Sequence, residues 1–220
     1  MDSMSPTADL FDTPDRPALL ALGPQSWLLR GFALPRAPEL LHDIARIHLV
    51  SPPRRMQVPG GKAMSVGISN AGVAGWTSDT HGYRYSALDP VTGRPWPELP
   101  PAWLQLAQQA AHKAGFDDYK PDVCLINEYL VDARMGLHQN RDERDLLAPI
   151  VSVSLGMSAT FQFGGLRRRD PVQRVLLHHG DVVVWGGADR LRYHGVLAVR
   201  GEPHAQTGAR RLNLTFRKAL

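Results

Sequence analysis

The chain has 220 residues, 43% of them hydrophobic, and 25 Lys plus Arg against 21 Asp plus Glu, a formal net charge of +4. That is enough apolar material for one sizeable core and argues against long intrinsic disorder, and no run reaches the roughly 18 apolar residues that a membrane span needs. The single cysteine, Cys124, excludes an internal disulfide and leaves a thiolate zinc site at least one ligand short. The charge is unevenly placed: residues 1–160 hold 14 basic and 17 acidic side chains, residues 161–220 hold 11 and 4. Either a polyanionic partner or anionic ligand meets the last quarter, or a basic surface there serves solubility.

Residues 1–18 open with four Asp before Pro17 and show neither a basic start nor an apolar run, so they read as a flexible leader and the chain as cytoplasmic. The remainder, 19–220, reads as a single domain. Ala37–Val50 places Leu40, Leu41, Ile44 and Ile47 at helical spacing, which predicts an amphipathic helix with one buried face. Residues 51–100 are dense in Pro and Gly with aromatics among them and predict a flap of short strands and loops. A second helix is predicted over 102–114, with two prolines before it, Trp103, Leu106, Ala107, Ala110 and Ala114 as its stripe, and Gly115 as its stop. From 122 to 220 come VCLINEYL, PIVSVSLG, ATFQFGG, RVLLHHGDVVVWGG and RRLNLTFRKAL, strand-like segments without intervening helices. The predicted class is mainly β with flanking helices, an antiparallel jelly roll.

The last strand is the most informative. Alternation sets Arg211, Asn213, Thr215 and Arg217 on one face and Leu212, Leu214 and Phe216 on the other. Two guanidinium forks suit a dicarboxylate, the alternative being an outward solvated face. Among nine histidines, His138 begins His138-Gln139-Asn140 after a turn, and His194 lies just past a valine-rich strand. Two His from distant strands, with an oxygen donor two residues after the first, match the spacing of the facial triad that holds non-haem Fe(II).

These segments resemble the AlkB family of alkylated-nucleic-acid repair dioxygenases. The matching blocks are Asn127-Glu-Tyr129, His138-Gln-Asn-Arg-Asp142, Pro149-Ile-Val-Ser-Val-Ser-Leu-Gly156, Phe161-Gln-Phe-Gly-Gly-Leu166, His179-Gly-Asp-Val-Val-Val-Trp-Gly-Gly187, Tyr193-His-Gly195 and Asn213-Leu-Thr-Phe-Arg217, with Val58-Pro-Gly-Gly61, Gly75-Trp-Thr77 and Gly82-Tyr-Arg-Tyr-Ser86 in the flap. The resemblance implies a double-stranded β-helix at 122–220 and a nucleotide-recognition lid at 51–100. It implies Fe(II) at His138, Asn140 and His194, and 2-oxoglutarate held by Asn127, Tyr129, Arg211, Asn213 and Arg217, with O2 as the oxidant. Decarboxylation of 2-oxoglutarate is then coupled to hydroxylation of an N-methyl group, which leaves as formaldehyde. Trp76, Tyr83, Asp142 and Arg168 are the implied substrate residues: Trp76 stacks a flipped base, Asp142 accepts from its exocyclic amine, and Arg168, with Arg54, Arg55, Arg167 and Arg169 nearby, meets phosphate. The expected substrate is 1-methyladenine or 3-methylcytosine in single- or double-stranded DNA or in RNA, and the expected state a monomer with no membrane partner. Trp76 and Tyr83 also suit a lid core.

One position departs from the family pattern of His-x-Asp, since Asn140 stands where the metal carboxylate belongs. A neutral amide is a weaker donor, so the site is expected to hold Fe(II) less tightly and to turn over more slowly. A weakened variant, a natural member of low activity and an inactive nucleic-acid-binding relative on the same scaffold all remain compatible, as does an oxygenase for a small molecule or protein side chain.

Overall fold

The computed structural model describes residues 18–220, so the expected leader lies, apart from Ala18, outside the described residues. In chain order the elements are β1 (Leu19–Gly23), β2 (Ser26–Leu29), α1 (Ala37–Val50), β3 (Gly67–Gly72), β4 (Gly75–Asp79), β5 (Gly82–Ser86), α2 (Pro101–Lys113), β6 (Val123–Leu130), β7 (Met135–His138), β8 (Ile150–Gly156), β9 (Ala159–Phe163), β10 (Gln173–Leu177), β11 (Val182–Trp185), β12 (His194–Val196) and β13 (Arg210–Arg217). Seven strands pair in the order β1-β2-β11-β8-β13-β6-β3, four more in the order β10-β9-β12-β7, and β4 with β5 makes a separate hairpin. Every pairing is antiparallel, as the jelly-roll expectation required.

The larger sheet is covered on both faces, which explains why β8 is buried along its whole length. On one side Val151, Val153 and Leu155 of β8 and Leu212, Leu214 and Phe216 of β13 pack against Leu40, Ile44 and Ile47 of α1 and Trp103, Leu106 and Ala110 of α2. On the other, Ile150, Val183 and Trp185 meet Phe161, Phe163, Val175 and Leu177 of the smaller sheet. Helix α1 has the predicted bounds, and α2 starts one residue early because Pro101 can occupy the first helical position, where no N–H is needed.

Three differences from the sequence reading have physical causes. The RVLLHHGDVVVWGG segment is two strands in two different sheets, β10 and β11, divided by a turn at Gly180, whose φ is +83°. Strand β3 comes from the flap region but closes the edge of the larger sheet against β6, so 51–100 is not a separable layer. The β1–β2 hairpin at the opposite edge has no sequence signal, since LLALG does not alternate and its burial is mostly partial. Among the described residues no helix is long and apolar enough to cross a membrane.

The strand ends are fixed by close approaches. Gly156 closes β8 at φ +84°, and a Cβ there would meet Thr207 Oγ1 and the Arg210 carbonyl oxygen, while its N–H donates to His179 Nδ1 at 2.9 Å. A Gly156→Ala chain is therefore expected to lose about 3 kcal/mol in chemical denaturation, from backbone strain plus overpacking. Gly60→Ala, where a Cβ meets nothing within 4 Å, serves as the neutral comparison.

Candidate active site

The pairing of β7 with β12 sets His138 directly opposite His194, with ring centroids 4.4 Å apart. Each ring has Nδ1 at 2.9 Å from a backbone carbonyl two residues earlier, Gly136 for His138 and Arg192 for His194. With Nδ1–H donated to those carbonyls, Nε2 of each ring keeps its lone pair, the tautomer a metal ligand needs. Burial lowers both pKa values, most strongly for His194, which also faces His138, and so favours the neutral imidazole at each. Asn140, two residues beyond β7, is buried beside them, its main-chain carbonyl accepting from Arg190 Nη1 at 2.7 Å and its side-chain amide making no hydrogen bond among the described residues. Among the described residues no three His, Cys, Asp or Glu side chains are grouped to hold a metal, and the group beside the two imidazoles at position 140 is an amide. The donor set fits a divalent metal in atom type but brings no negative charge.

Strand register builds the second half of the site. Arg211 is paired with Tyr129 on β6 and with Gly156 on β8, and Asn213 with Asn127 and Ser154, so all face the space between the sheets. Arg211 is 1% exposed, its guanidinium lies 5.0 Å from the Tyr129 ring centroid, and one nitrogen donates to Ser154 Oγ at 2.9 Å. Its Nε and Nη1 are buried without a partner, as are Asn127 Oδ1 and Arg217 Nε. Unpaired buried guanidinium nitrogens are costly alone, and these fit the anionic oxygens of a carboxylate. Asn213 is already committed: its amide donates to Ser152 Oγ and the Val153 carbonyl and accepts from Thr215 Oγ1, so its role here is to hold β8 against β13.

Over this floor opens a cleft of about 420 Å³ that brings Trp76, Tyr83, Asp142 and Arg168 together with His138 and Asn140. Trp76 and Tyr83 stack at 5.4 Å between centroids and 18° between planes, and Trp76 Nε1 donates to Asp142 Oδ2 at 3.0 Å. Arg168 donates to the Leu137 carbonyl at 2.8 Å and lies 5.8 Å from the Tyr193 ring centroid. Arg54, expected on the phosphate rim, is instead paired with Asp89 at 2.7 Å.

The sequence reading missed the carboxylate that ties these parts together. Glu143 is buried in the irregular loop after Asn140, accepts from Tyr85 Oη of β5 at 2.8 Å and from Arg217 Nη1 at 3.0 Å on one oxygen, and from Arg190 Nη2 at 3.2 Å on the other. No periodicity marks that loop, so no local signal pointed to it. Burial alone would raise the Glu143 pKa, but Arg217 and Arg190 outweigh it and hold the carboxyl below its ordinary value of 4.5. Glu143→Gln leaves two buried guanidinium groups uncompensated and is expected to destabilise the chain by about 3–5 kcal/mol at pH 7. Because Glu143 titrates lower folded than unfolded, that difference is complete above pH about 4.5 and shrinks as pH falls through the folded value. Denaturant midpoints that fail to converge in acid would refute this account of the network.

A family model described as the 2OG-Fe(II) oxygenase superfamily matches residues 26–217. The chain is 52% identical over 211 residues to the alpha-ketoglutarate-dependent dioxygenase AlkB of Salmonella typhimurium, covering 96% of this chain and 97% of that protein. It is 34% identical over 169 residues to a protein of Arabidopsis thaliana named DNA N(6)-methyladenine demethylase ALKBH1C, covering 65% of this chain and 37% of that one. The solved structure of OsALKBH1 superposes with a TM-score of 0.81 at 26% identity, over 91% of this chain and 99% of that one. The chain belongs to the AlkB branch of the 2OG-Fe(II) oxygenase superfamily and is an Fe(II)/2-oxoglutarate-dependent dioxygenase.

Proposed function

We propose that the chain oxidatively demethylates N-alkylated bases such as 1-methyladenine and 3-methylcytosine in DNA or RNA, with turnover held down by Asn140. The observation that carries this reading is the continuity of one cleft from Trp76, Tyr83, Asp142 and Arg168 down to His138 and Asn140. The demethylase name of the Arabidopsis relative supports the same substrate class.

When bound, iron and 2-oxoglutarate supply the O2-dependent hydroxylation of the N-methyl group, after which formaldehyde is lost. Arg211, with buried nitrogens that lack a protein partner, holds the distal carboxylate, assisted by Asn127 and Tyr129. Arg217, held through Nη1 by Glu143 and Tyr85, keeps Nε and Nη2 for the proximal end. A methylated base reaches this depth only when flipped out of its stack, and it enters between Trp76 and His138 by displacing Tyr83 from the stack. Methylation at adenine N1 or cytosine N3 makes the base cationic, so the Asp142 carboxylate favours it over the neutral base. Asp142 Oδ1 remains available for the exocyclic amine while Oδ2 accepts from Trp76. Arg168, 5.8 Å from the Tyr193 ring centroid at the cleft wall, meets a phosphate.

The lack of a carboxylate among the metal donors favours a second reading, a nucleic-acid-binding relative without turnover. Succinate and formaldehyde release on a 1-methyladenine oligonucleotide at limiting Fe(II) separates the two: Asn140→Asp is expected to act about 10- to 100-fold faster than the chain itself. Equal rates refute the role given to position 140, and no release from either chain, with salt-sensitive oligonucleotide binding intact, establishes the second reading. Trp76→Ala and Arg168→Ala are expected to raise the KM for the oligonucleotide while sparing 2-oxoglutarate consumption in its absence. Unchanged KM in both moves the substrate to a small molecule.

A further inference from the structure

The inner cavity that contains His138, Asn140 and His194 is also lined by Arg211 and Arg217, and by no Asp or Glu. Asp142 and Glu143 are close in sequence but turned elsewhere, the first toward Trp76 and the second into its bonds with Arg217, Arg190 and Tyr85. Arg211 makes no ion pair among the described residues and has two buried nitrogens without a partner. In the metal-free state the cavity is therefore a positive, partly unsatisfied site for an anion. A carboxylate at position 140 would oppose that anion until a metal neutralised it, whereas the Asn140 amide does not.

We propose that the metal-free chain is a receptor for a 2-oxo dicarboxylate, so that 2-oxoglutarate binds before the metal and Asn140 sets this order. Two imidazoles and an amide give a divalent ion no anionic donor of their own. The co-substrate, seated by its distal carboxylate on Arg211, would supply the anionic oxygen that these three residues lack. Position 140 thus trades metal affinity against metal-independent dicarboxylate affinity, and the two must move in opposite directions when its charge changes. The proposal rests on the assignment of Arg211 to the distal carboxylate.

Calorimetric titration of the full chain with 2-oxoglutarate in the presence of EDTA tests one side, and Mn(II) titration without 2-oxoglutarate, followed by the electron paramagnetic resonance of free Mn(II), tests the other. Asn140→Asp is expected to weaken metal-free 2-oxoglutarate binding about 10-fold and to tighten Mn(II) binding by at least about the same factor. Asn140→Ser, neutral and small, is expected to stay within about 3-fold of the chain in the first titration, which separates charge from shape. Metal-free affinity that is equal or higher in Asn140→Asp overturns the proposal, as does Mn(II) affinity that does not rise. Arg211→Met is expected to abolish 2-oxoglutarate binding with and without Mn(II). If it leaves binding intact, the assignment of the co-substrate site fails; if it abolishes binding while Asn140→Asp changes nothing, only the loading order fails.

Discussion

The site depends on one strand, β13, both of whose faces are buried. Leu212, Leu214 and Phe216 are held by the helices, with Trp103 edge-on to Phe216 at 6.1 Å. That hydrophobic face fixes the strand's rotation, and strict alternation then drives Arg211, Asn213, Thr215 and Arg217 into the space between the sheets. A one-residue slip would exchange the faces, so the register that seats the core also seats the guanidinium groups. Burying Arg211 without an ion pair is unfavourable in the chain alone, which makes it the costliest side chain that this register buries.

Around that strand the site divides into parts that are finished and parts that wait for a ligand. Glu143, Arg190, Arg217 and Tyr85 form a network in which the carboxylate meets three partners, and it ties the loop after β7 to strand β5. Through Arg190 the same network holds the main chain at Asn140 in place. The main chain at position 140 is thus held in place beside the two imidazoles, and the group that it presents is neutral. This separates two properties that a carboxylate would combine, the position of the donor and its negative charge.

The basic excess of the last quarter divides in the same way. Arg211 and Arg217 face an internal cavity, Arg190 is spent on Glu143, and Arg192 on Asp189. The last quarter's exposed basic residues without an ion pair among the described residues are Arg167, Arg168, Arg169 and Arg174, since Arg200, Arg210 and Lys218 are paired with Asp132, Glu128 and Asp122. That distribution suits a protein that samples one nucleotide at a time better than one that coats a polyanion.

Local pattern was sufficient for the helices, for the alternation of β13 and for the motifs around His138 and His194, because each depends on periodicity or on spacing within a few residues. The departure at Asn140 was legible for the same reason, as a single residue within a short motif. Other features needed the tertiary structure. That His138 and His194 are cross-strand partners follows from the pairing of β7 with β12, 56 residues apart in the chain. The edge hairpin of β1 and β2, the diversion of β3 into the larger sheet and the pairing of Arg54 with Asp89 were decided by neighbours distant in sequence. Glu143 shows the limit most clearly: it lies in a loop without period, and its partners come from β5, β13 and the segment before β12, so nothing local sets its burial. A sequence fixes which side chains a strand turns to each face, but the contacts that make a buried charge affordable are long-range, and only the assembled sheets bring them together.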